Sequence, residues 1–236
     1  MTGRLPAGVG STDDALAAQF SPDLVRRAVA VLARTVGSRL LGPGQRMRAS
    51  QFATVGASPR HVVFLGDSIT QGGLWQEWFA GAPVLNRGID GETSADLLRR
   101  VDSAVHDPLA VFLLIGTNDL TSGVALQQIT ANVRALLAEI DRRAPGTPVV
   151  VQSVMPRTPR FRDDLRLLNR AYRQLVHGSG DNVDYLDLWP VLADDDGDLR
   201  TEYTEDRLHL NGPGYAAWVD VLRPLVDAFL AGRPGR

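Results

Sequence analysis

Three side chains have the types that nucleophilic catalysis needs: Ser68 and, far from it along the chain, Asp206 and His209. A serine hydroxyl attacks a carbonyl at neutral pH only when a neighbouring base takes its proton, and histidine can serve as that base. Asp206 comes three residues before His209. One loop could therefore carry both the base and the carboxylate that orients its ring. These residues predict acyl chemistry on an ester through a covalent acyl-enzyme intermediate.

Such chemistry also needs hydrogen-bond donors for the negatively charged oxygen that forms on the carbonyl. Ser68 stands where a predicted strand gives way to a helix, so its own main-chain N–H could point at that oxygen. We predict the Gly88 N–H and the Asn118 side-chain amide as the other two donors. Asp67, next to the serine, is instead predicted to accept bonds from main-chain N–H groups of its loop.

The elements that must position these residues alternate along the chain after Arg60. Short aliphatic or β-branched runs predict buried strands, and the longer segments between them have helical periodicity. This pattern predicts an α/β protein, a three-layer α/β/α sandwich around a five-stranded parallel sheet. Ligands of such sheets bind outside the carboxyl ends of the strands. The predicted strands are His61–Leu65, Pro83–Asn86, Ala110–Ile115, Pro148–Ser153 and Val183–Leu186. The predicted helices between and after them are Leu74–Ala80, Ser94–Val105, Ala125–Arg143, Asp163–His177 and Pro213–Leu230.

Four sequence blocks, FLGDSIT, NRGIDGET, IGTND and DRLHLN, resemble in order and spacing the signature blocks of the SGNH (GDSL-type) hydrolases. The residues that give this family its name would be Ser68, Gly88, Asn118 and His209. The resemblance spans residues 62–230 and implies a serine esterase with the flavodoxin-like SGNH hydrolase fold and no cofactor. The resemblance is specific because the four blocks occur in order. The first three each follow a predicted strand, and the fourth comes after the last strand of the sheet.

The chain is predicted to have three parts. Residues 1–20 are rich in Gly, Ala, Ser and Thr and predict a flexible arm. Residues 21–58 predict an N-terminal helix from Ser21 through Leu40, followed by a connecting segment over 42–58 with turns around a basic patch at Arg46 and Arg48. Residues 59–236 would form the hydrolase domain. We interpret the connecting segment as scaffold, with a lid or a dimer contact as alternatives.

Composition excludes several functional classes. The chain is 44% hydrophobic and 22% charged, as in soluble globular proteins, and its net charge of -2 gives no basic face for nucleic acid. It has no cysteine, which removes thiol catalysis and thiolate zinc sites. Neither a signal peptide nor a membrane span can be recognised, so a cytoplasmic location is expected. The expected partner is a small ester, an acylated sugar, lipid or metabolite, and the oligomeric state stays open.

Residues for substrate selection and metal binding are less well defined by the sequence. Trp75, Met155, Arg157 and Phe161 follow strand ends and could line an acyl or alcohol pocket, although Trp75 could equally belong to the core. The acidic segment 194–198 is interpreted as a turn, because it lacks the closing glutamate of a calcium loop. We therefore predict no metal site.

Three alternatives to an esterase remain at this point. An acyltransferase with an alcohol or sugar acceptor would use the same Ser-His-Asp residues. A metal-dependent phosphoesterase is disfavoured, because His209 is the only histidine in the candidate loops and such sites need several. A binding module on the same fold is opposed by the complete set of catalytic residues.

Overall fold

The computed structural model describes residues 42–232. In that range the chain forms a five-stranded parallel sheet with the strand order β2-β1-β3-β4-β5, covered by helices on both faces. The predicted three-layer α/β/α sandwich is confirmed. The expected flexible arm at 1–20 and the helix expected at the start of 21–58 lie outside the described residues.

The five strands agree with the predicted ones to within two residues at each end. The central strands are completely buried, as their continuous aliphatic sequences require when helices cover both faces of a sheet. The edge strand β5 is partly exposed. The strands are β1 (Val62–Gly66), β2 (Val84–Gly88), β3 (Ala110–Leu114), β4 (Val149–Gln152) and β5 (Val183–Leu186).

The long predicted helices are also found, and short helices occur at several strand ends. Residues 42–55 are helical and are called α1. The others are α2 (Ser68–Gly72), α3 (Trp75–Trp78), α4 (Ser94–Arg100), α5 (Thr117–Thr121), α6 (Leu126–Arg143), α7 (Arg162–His177), α8 (Trp189–Leu192) and α9 (Gly212–Leu230). Single 3-10 turns cover Val101–Ser103, Pro159–Phe161 and Thr201–Tyr203.

Helix α1 corrects the prediction that this part of 21–58 is a connecting segment built of turns. Its middle consists of good helix formers such as Gln, Arg, Met and Ala. The side chains that dock it on the domain are Gln45, Arg48 and Phe52, spaced by three and four residues on one helical face. Two of the three are polar, so a search for apolar periodicity does not find this helix.

The core consists of two layers, one on each face of the sheet. Alternate residues of a strand point to opposite faces, so Val63 and Leu65 of β1 pack with α4, α6 and α7, while Phe64 packs with α3 and α9. Parallel register brings Gly66 of β1 level with Gly88 of β2 and Leu114 of β3. The loops that follow these three strands therefore meet at one edge of the sheet.

Helix α9 brings the end of the domain to the same edge. The Tyr215 hydroxyl of α9 donates to the main-chain oxygen of Ile69 in α2 (2.7 Å). The Asn211 side chain caps the start of α9 by accepting the Gly214 N–H (3.2 Å). The segment directly before Asn211 is thereby held beside the N-terminus of α2.

Candidate active site

Ser68 is the first residue of α2, directly after the end of β1. Asp67 caps this helix, accepting the Ile69 N–H on its side chain at 3.1 Å, so its predicted structural role is confirmed. Gly66 allows the tight turn, because a Cβ at this position would lie 2.3 Å from the main-chain oxygen of Leu114. Ser68 is half-buried, with its side chain at the open edge of the sheet.

The structure brings Ser68, His209 and Asp206 together in one chain of hydrogen bonds. Ser68 Oγ lies 2.9 Å from His209 Nε2, and His209 Nδ1 lies 2.6 Å from Asp206 Oδ2. When the neutral ring carries its proton on Nδ1, that nitrogen donates to the carboxylate and Nε2 accepts from the serine hydroxyl. Arg207 adopts a left-handed backbone conformation (φ 61°), which folds the loop so that aspartate and histidine face each other.

The carboxylate of Asp206 is held in its charged form. Partial burial acts to raise its pKa, but hydrogen bonds from the His209 side chain and from the main-chain N–H groups of His209 and Leu208 outweigh burial and lower the pKa to about 2. A charged carboxylate keeps the ring oriented and stabilises the imidazolium that forms during proton transfer. The side chains of Asp206 and His209 are 52% and 44% exposed, so the site is open to solvent.

Two of the three predicted oxyanion donors, Ser68 and Asn118, have an N–H hydrogen that donates to no other group in residues 42–232. The Ser68 N–H has no acceptor among residues 42–232. Asn118, the second residue of α5, donates one hydrogen of its amide to the main-chain oxygen of Glu92 (3.0 Å). An amide nitrogen carries two hydrogens, so the second remains for an oxyanion.

The third predicted donor is corrected by the structure. The Gly88 N–H donates to Oδ1 of Asn86 at 2.9 Å and is already used within the chain. Gly88 has a packing role instead, since a Cβ there would lie 2.2 Å from the Gln71 nitrogen. The side chain of Asn86 fixes the end of β2 further by donating to the main-chain oxygens of Gln71 (3.0 Å) and Gly73 (3.1 Å).

Another main-chain donor stands three residues further along the same loop. The N–H groups of Ile89, Asp90 and Glu92 all donate to oxygens of the protein. The Gly91 N–H has no acceptor in the part of the chain that the structure describes. Gly91 has a positive φ of 71°, in a turn of the Asp-Gly type, and this turn signal could have directed attention to it in place of Gly88.

A buried ion pair stabilises this loop. Arg100 Nε donates to both oxygens of Glu92 at 2.8 Å, and Arg100 Nη2 also donates to the main-chain oxygen of Arg87 at 3.0 Å. Burial raises the pKa of Glu92, and the hydrogen bonds from Arg100 oppose that rise. The pair ties the loop after β2 to helix α4.

Two of the predicted substrate-binding residues belong to the core, which corrects that prediction. Trp75 is fully buried, stacks on Phe64 with the ring centroids 3.9 Å apart, and donates its indole N–H to the main-chain oxygen of Thr70 (2.8 Å). Met155 is 2% exposed and packs in the same layer. Both follow strand ends, but their side chains turn inward between the sheet and α9.

The other two substrate candidates, Arg157 and Phe161, contact each other. The Arg157 guanidinium lies 4.0 Å from the centroid of the Phe161 ring. It also donates to the hydroxyls of Thr117 (3.0 Å) and Thr121 (2.9 Å) in α5, the helix that carries Asn118. Burial lowers the pKa of Arg157 to about 10, so it stays charged at neutral pH. Its contacts support α5, and a role in substrate binding stays a prediction.

The acidic segment 194–198 forms a turn. Asp194 accepts the main-chain N–H groups of Asp196 (3.1 Å) and Asp198 (2.9 Å) on one side-chain oxygen, and Arg162 forms a two-point ion pair with Asp198. Within residues 42–232 no group of three or more His, Asp and Glu side chains is arranged to hold a metal ion. Over the same residues, no helix is long and apolar enough to cross a membrane.

Residues 64–217 match the GDSL-like lipase/acylhydrolase family, over a stretch that contains Ser68, Asn118 and His209. The chain belongs to this family. As a GDSL-like acylhydrolase it is a carboxylic ester hydrolase, which confirms the predicted enzyme class and the SGNH resemblance. Helix α1 lies outside the matched residues.

Individual relatives of this GDSL-like hydrolase cover most of its chain. Human platelet-activating factor acetylhydrolase IB subunit alpha1 is 30% identical over 185 residues, which are 74% of this chain and 79% of that protein. A solved structure from Streptococcus pneumonia, named for platelet activating factor, has a TM-score of 0.76 at 26% identity and covers 83% of this chain and 99% of its own. A GDSL-like lipase from Bacteroides thetaiotaomicron shares the fold with a TM-score of 0.61 at 23% identity, over 78% of this chain and 97% of that chain.

Proposed function

We propose that this hydrolase cleaves acetyl and other short acyl esters of small molecules, with Ser68 as nucleophile, His209 as general base and Asp206 as its orienting carboxylate. The observation that carries the proposal is the continuous hydrogen-bond chain from Ser68 Oγ through both ring nitrogens of His209 to Asp206, with distances of 2.9 and 2.6 Å. The three side chains have the types and the contacts of a catalytic triad.

In the first step, Ser68 Oγ attacks the ester carbonyl while its proton passes to His209 Nε2. The carbonyl oxygen becomes an oxyanion, and Asp206 stabilises the positive charge on the ring. His209 then gives its proton to the oxygen of the leaving alcohol as the ester C–O bond breaks. The acyl group remains on Ser68.

In the second step, water replaces the alcohol. His209 takes a proton from a water molecule, the hydroxide attacks the acyl carbon, and the proton returns to Ser68 as the carboxylic acid leaves. The half-exposed side chains of Asp206 and His209 support hydrolysis over transfer to an acceptor, because bulk water has direct access to the base.

We assign the oxyanion to three donors, the Ser68 N–H, the Gly91 N–H and the Asn118 amide. Gly91 takes the place first given to Gly88, whose N–H is used by Asn86. The Asn118 amide and Gly91 are neighbours, since the amide donates to the main-chain oxygen of Glu92, the residue after Gly91. Donors fixed in advance stabilise the oxyanion without reorganising during the reaction.

A short acyl group fits the surroundings of Ser68. Trp75 and Met155, the two apolar side chains predicted to line a pocket, are packed in the core and offer no exposed wall for a long chain. Two surface cavities of about 370 and 270 Å³ lie along β5, and neither contains a triad residue. The human relative, an acetylhydrolase by name, supports an acetyl ester as substrate.

The test is a series of p-nitrophenyl esters of increasing chain length, together with acetylated sugars, measured with wild type, Ser68→Ala and the exposed control Ser58→Ala. We expect the highest kcat/KM for acetyl, and a loss of about a thousandfold or more in Ser68→Ala only. A Ser68→Ala variant that keeps more than about a tenth of the wild-type rate would refute the assignment. If the reaction is run with an added alcohol and the main product is the acylated alcohol, the enzyme is a transferase.

A further inference from the structure

Helix α1 lies outside the residues that match the family, yet it contacts the loop that carries Gly91. Gln45 Nε2 donates to the main-chain oxygen of Asp90 at 2.8 Å. One helical turn further along α1, Arg48 Nε donates to the main-chain oxygen of Gly88, also at 2.8 Å. Two side chains of α1 thus bind two carbonyls of one short loop.

The docking of α1 is strengthened by aromatic and charged side chains. The Phe52 ring lies next to three guanidinium groups, with the carbon atoms of Arg87, Arg48 and Arg100 at 4.6, 5.0 and 5.8 Å from the ring centroid. Arg87 Nη2 also donates to the main-chain oxygen of Gly56, just beyond α1 (2.7 Å). The helix is therefore held on the loop along most of its length.

The bond from Gln45 has a direct consequence for the Gly91 N–H. The oxygen of Asp90 and the N–H of Gly91 belong to the same planar peptide group, and in a trans peptide the two point in opposite directions. The described residues contain no cis peptide bond. Because Gln45 binds the oxygen, the Gly91 N–H must point away from α1.

The neighbouring contacts prevent this peptide from turning over. Asp90 donates its own N–H to Gln71 Oε1 in α2 at 2.9 Å, so the residue is held from two sides. Gly91 needs such restraint, because glycine has more accessible backbone conformations than any other residue. A hydrogen bond accepted by the carbonyl also polarises the peptide and makes its N–H a better donor.

We propose that Gln45 is a positioning residue for the reaction: it fixes the Asp90–Gly91 peptide so that the Gly91 N–H is presented to the oxyanion. Arg48 supports it by fixing the preceding Gly88–Ile89 peptide. The inference rests on the proposed function, in which Gly91 is an oxyanion donor. The effect belongs to the transition state, because the donor is used fully only when the oxyanion forms.

The experiment compares Gln45→Met and Gln45→Glu with Gln51→Glu in the full chain. Methionine and glutamate keep the length of the side chain but cannot donate to the Asp90 oxygen at neutral pH. Gln51 is exposed on the same helix, so Gln51→Glu makes the same chemical change without touching the loop. The rate is divided by the number of serines that a fluorophosphonate labels at completion, so that only folded sites are counted.

We expect both Gln45 variants to lose about five- to tenfold in kcat with KM within about twofold of wild type, and Gln51→Glu to behave as wild type. The inference is overturned if both Gln45 variants keep the wild-type kcat per labelled site, if only KM changes, or if Gln51→Glu shows the same loss. Ser68→Ala distinguishes failure of the proposed function from failure of the proposed role of Gln45. An active Ser68→Ala would refute the proposed function itself, whereas an inactive one together with fully active Gln45 variants would refute the role of Gln45 alone.

Discussion

Asn118 Nδ2 donates to the main-chain oxygen of Glu92 at 3.0 Å and so joins the loop after β3 to the loop after β2. This bond fixes the amide plane, and the second hydrogen on the same nitrogen takes a defined direction. Both loops carry a proposed oxyanion donor, Asn118 on one and Gly91 on the other. The contact therefore sets the spacing between two donors that come from different strands.

Replacing Asn118 by alanine should lower kcat by about a hundred- to a thousandfold while KM barely changes, because the lost hydrogen bond forms most strongly in the transition state. Steady-state kinetics and a thermal melt on the same preparation provide the measurement. The Glu92 contact is lost as well, so some decrease in melting temperature is expected. Normal turnover in a destabilised protein would show that Asn118 only connects the two loops.

Replacing Asp206 by asparagine should lower kcat on the order of a thousandfold or more, since the amide cannot stabilise the imidazolium and can favour the wrong ring tautomer. Because the pKa of Asp206 is lowered to about 2, its charge persists over the whole range in which the enzyme is assayed. A pH–rate profile of wild type should therefore show no step from this carboxylate above about pH 4. A mild effect of Asp206→Asn would mean that another group orients His209.

Asp67 predicts a dependence of stability on pH. Burial raises its pKa to about 7, against about 4 in an unfolded chain. Between these values the native protein keeps a proton that the unfolded chain has released, so the free energy of unfolding falls as pH rises. Asp67→Asn keeps an oxygen for the Ile69 N–H but has no charge to bury. Its advantage in stability over wild type should therefore grow from about pH 5 to about pH 8.

Urea unfolding at both pH values measures this difference. Asp102→Asn is the control, because Asp102 also accepts the N–H of a following residue (2.9 Å) but is exposed. An equal pH dependence in wild type and Asp67→Asn would show that Asp67 ionises normally in the folded protein.

Trp75 should behave as a core residue. Trp75→Ala removes the ring stacked on Phe64, and we expect the free energy of unfolding to fall by about 3–5 kcal/mol. Replacing the half-buried Trp78, on the same short helix, by alanine should lower the free energy of unfolding clearly less. Chemical denaturation gives the stability and initial rates give KM. A Trp75→Ala variant with normal stability and a large rise in KM would show that this residue lines the substrate pocket.

The sheet could be predicted from the sequence because its strands are nearly pure aliphatic runs that separate cleanly from helical segments. The meeting of Ser68, Asp206 and His209 could be predicted for a related reason, since Ser68 directly follows a strand end and the Asp-x-x-His spacing places the other two side chains on one loop. Helix α1 could not be predicted in this way. Gln45 and Arg48 dock it through hydrogen bonds, and such contacts leave no apolar period in the sequence.

The choice between Gly88 and Gly91 as the proposed oxyanion donor shows a second limit of sequence analysis. Gly88 and Gly91 stand in the same block, and their types do not tell which N–H is free. The answer depends on the side chain of Asn86, which turns back onto the Gly88 N–H. Trp75 shows the same limit for the predicted substrate pocket. Its side chain turns inward because it packs against α9, and the sequence after the strand does not indicate this direction.

His209 follows Ser68 by 141 residues, so the proposed nucleophile stands just after the first strand and the proposed base stands in the segment before the last helix. Bringing such distant segments together costs more chain entropy than pairing nearby ones, so we expect this contact to form after the more local contacts. Recovery of esterase activity after dilution from denaturant would therefore time the final step of chain assembly. Spectroscopic signals from the sheet should return earlier, because at that stage the molecules are already compact but do not yet hydrolyse the substrate.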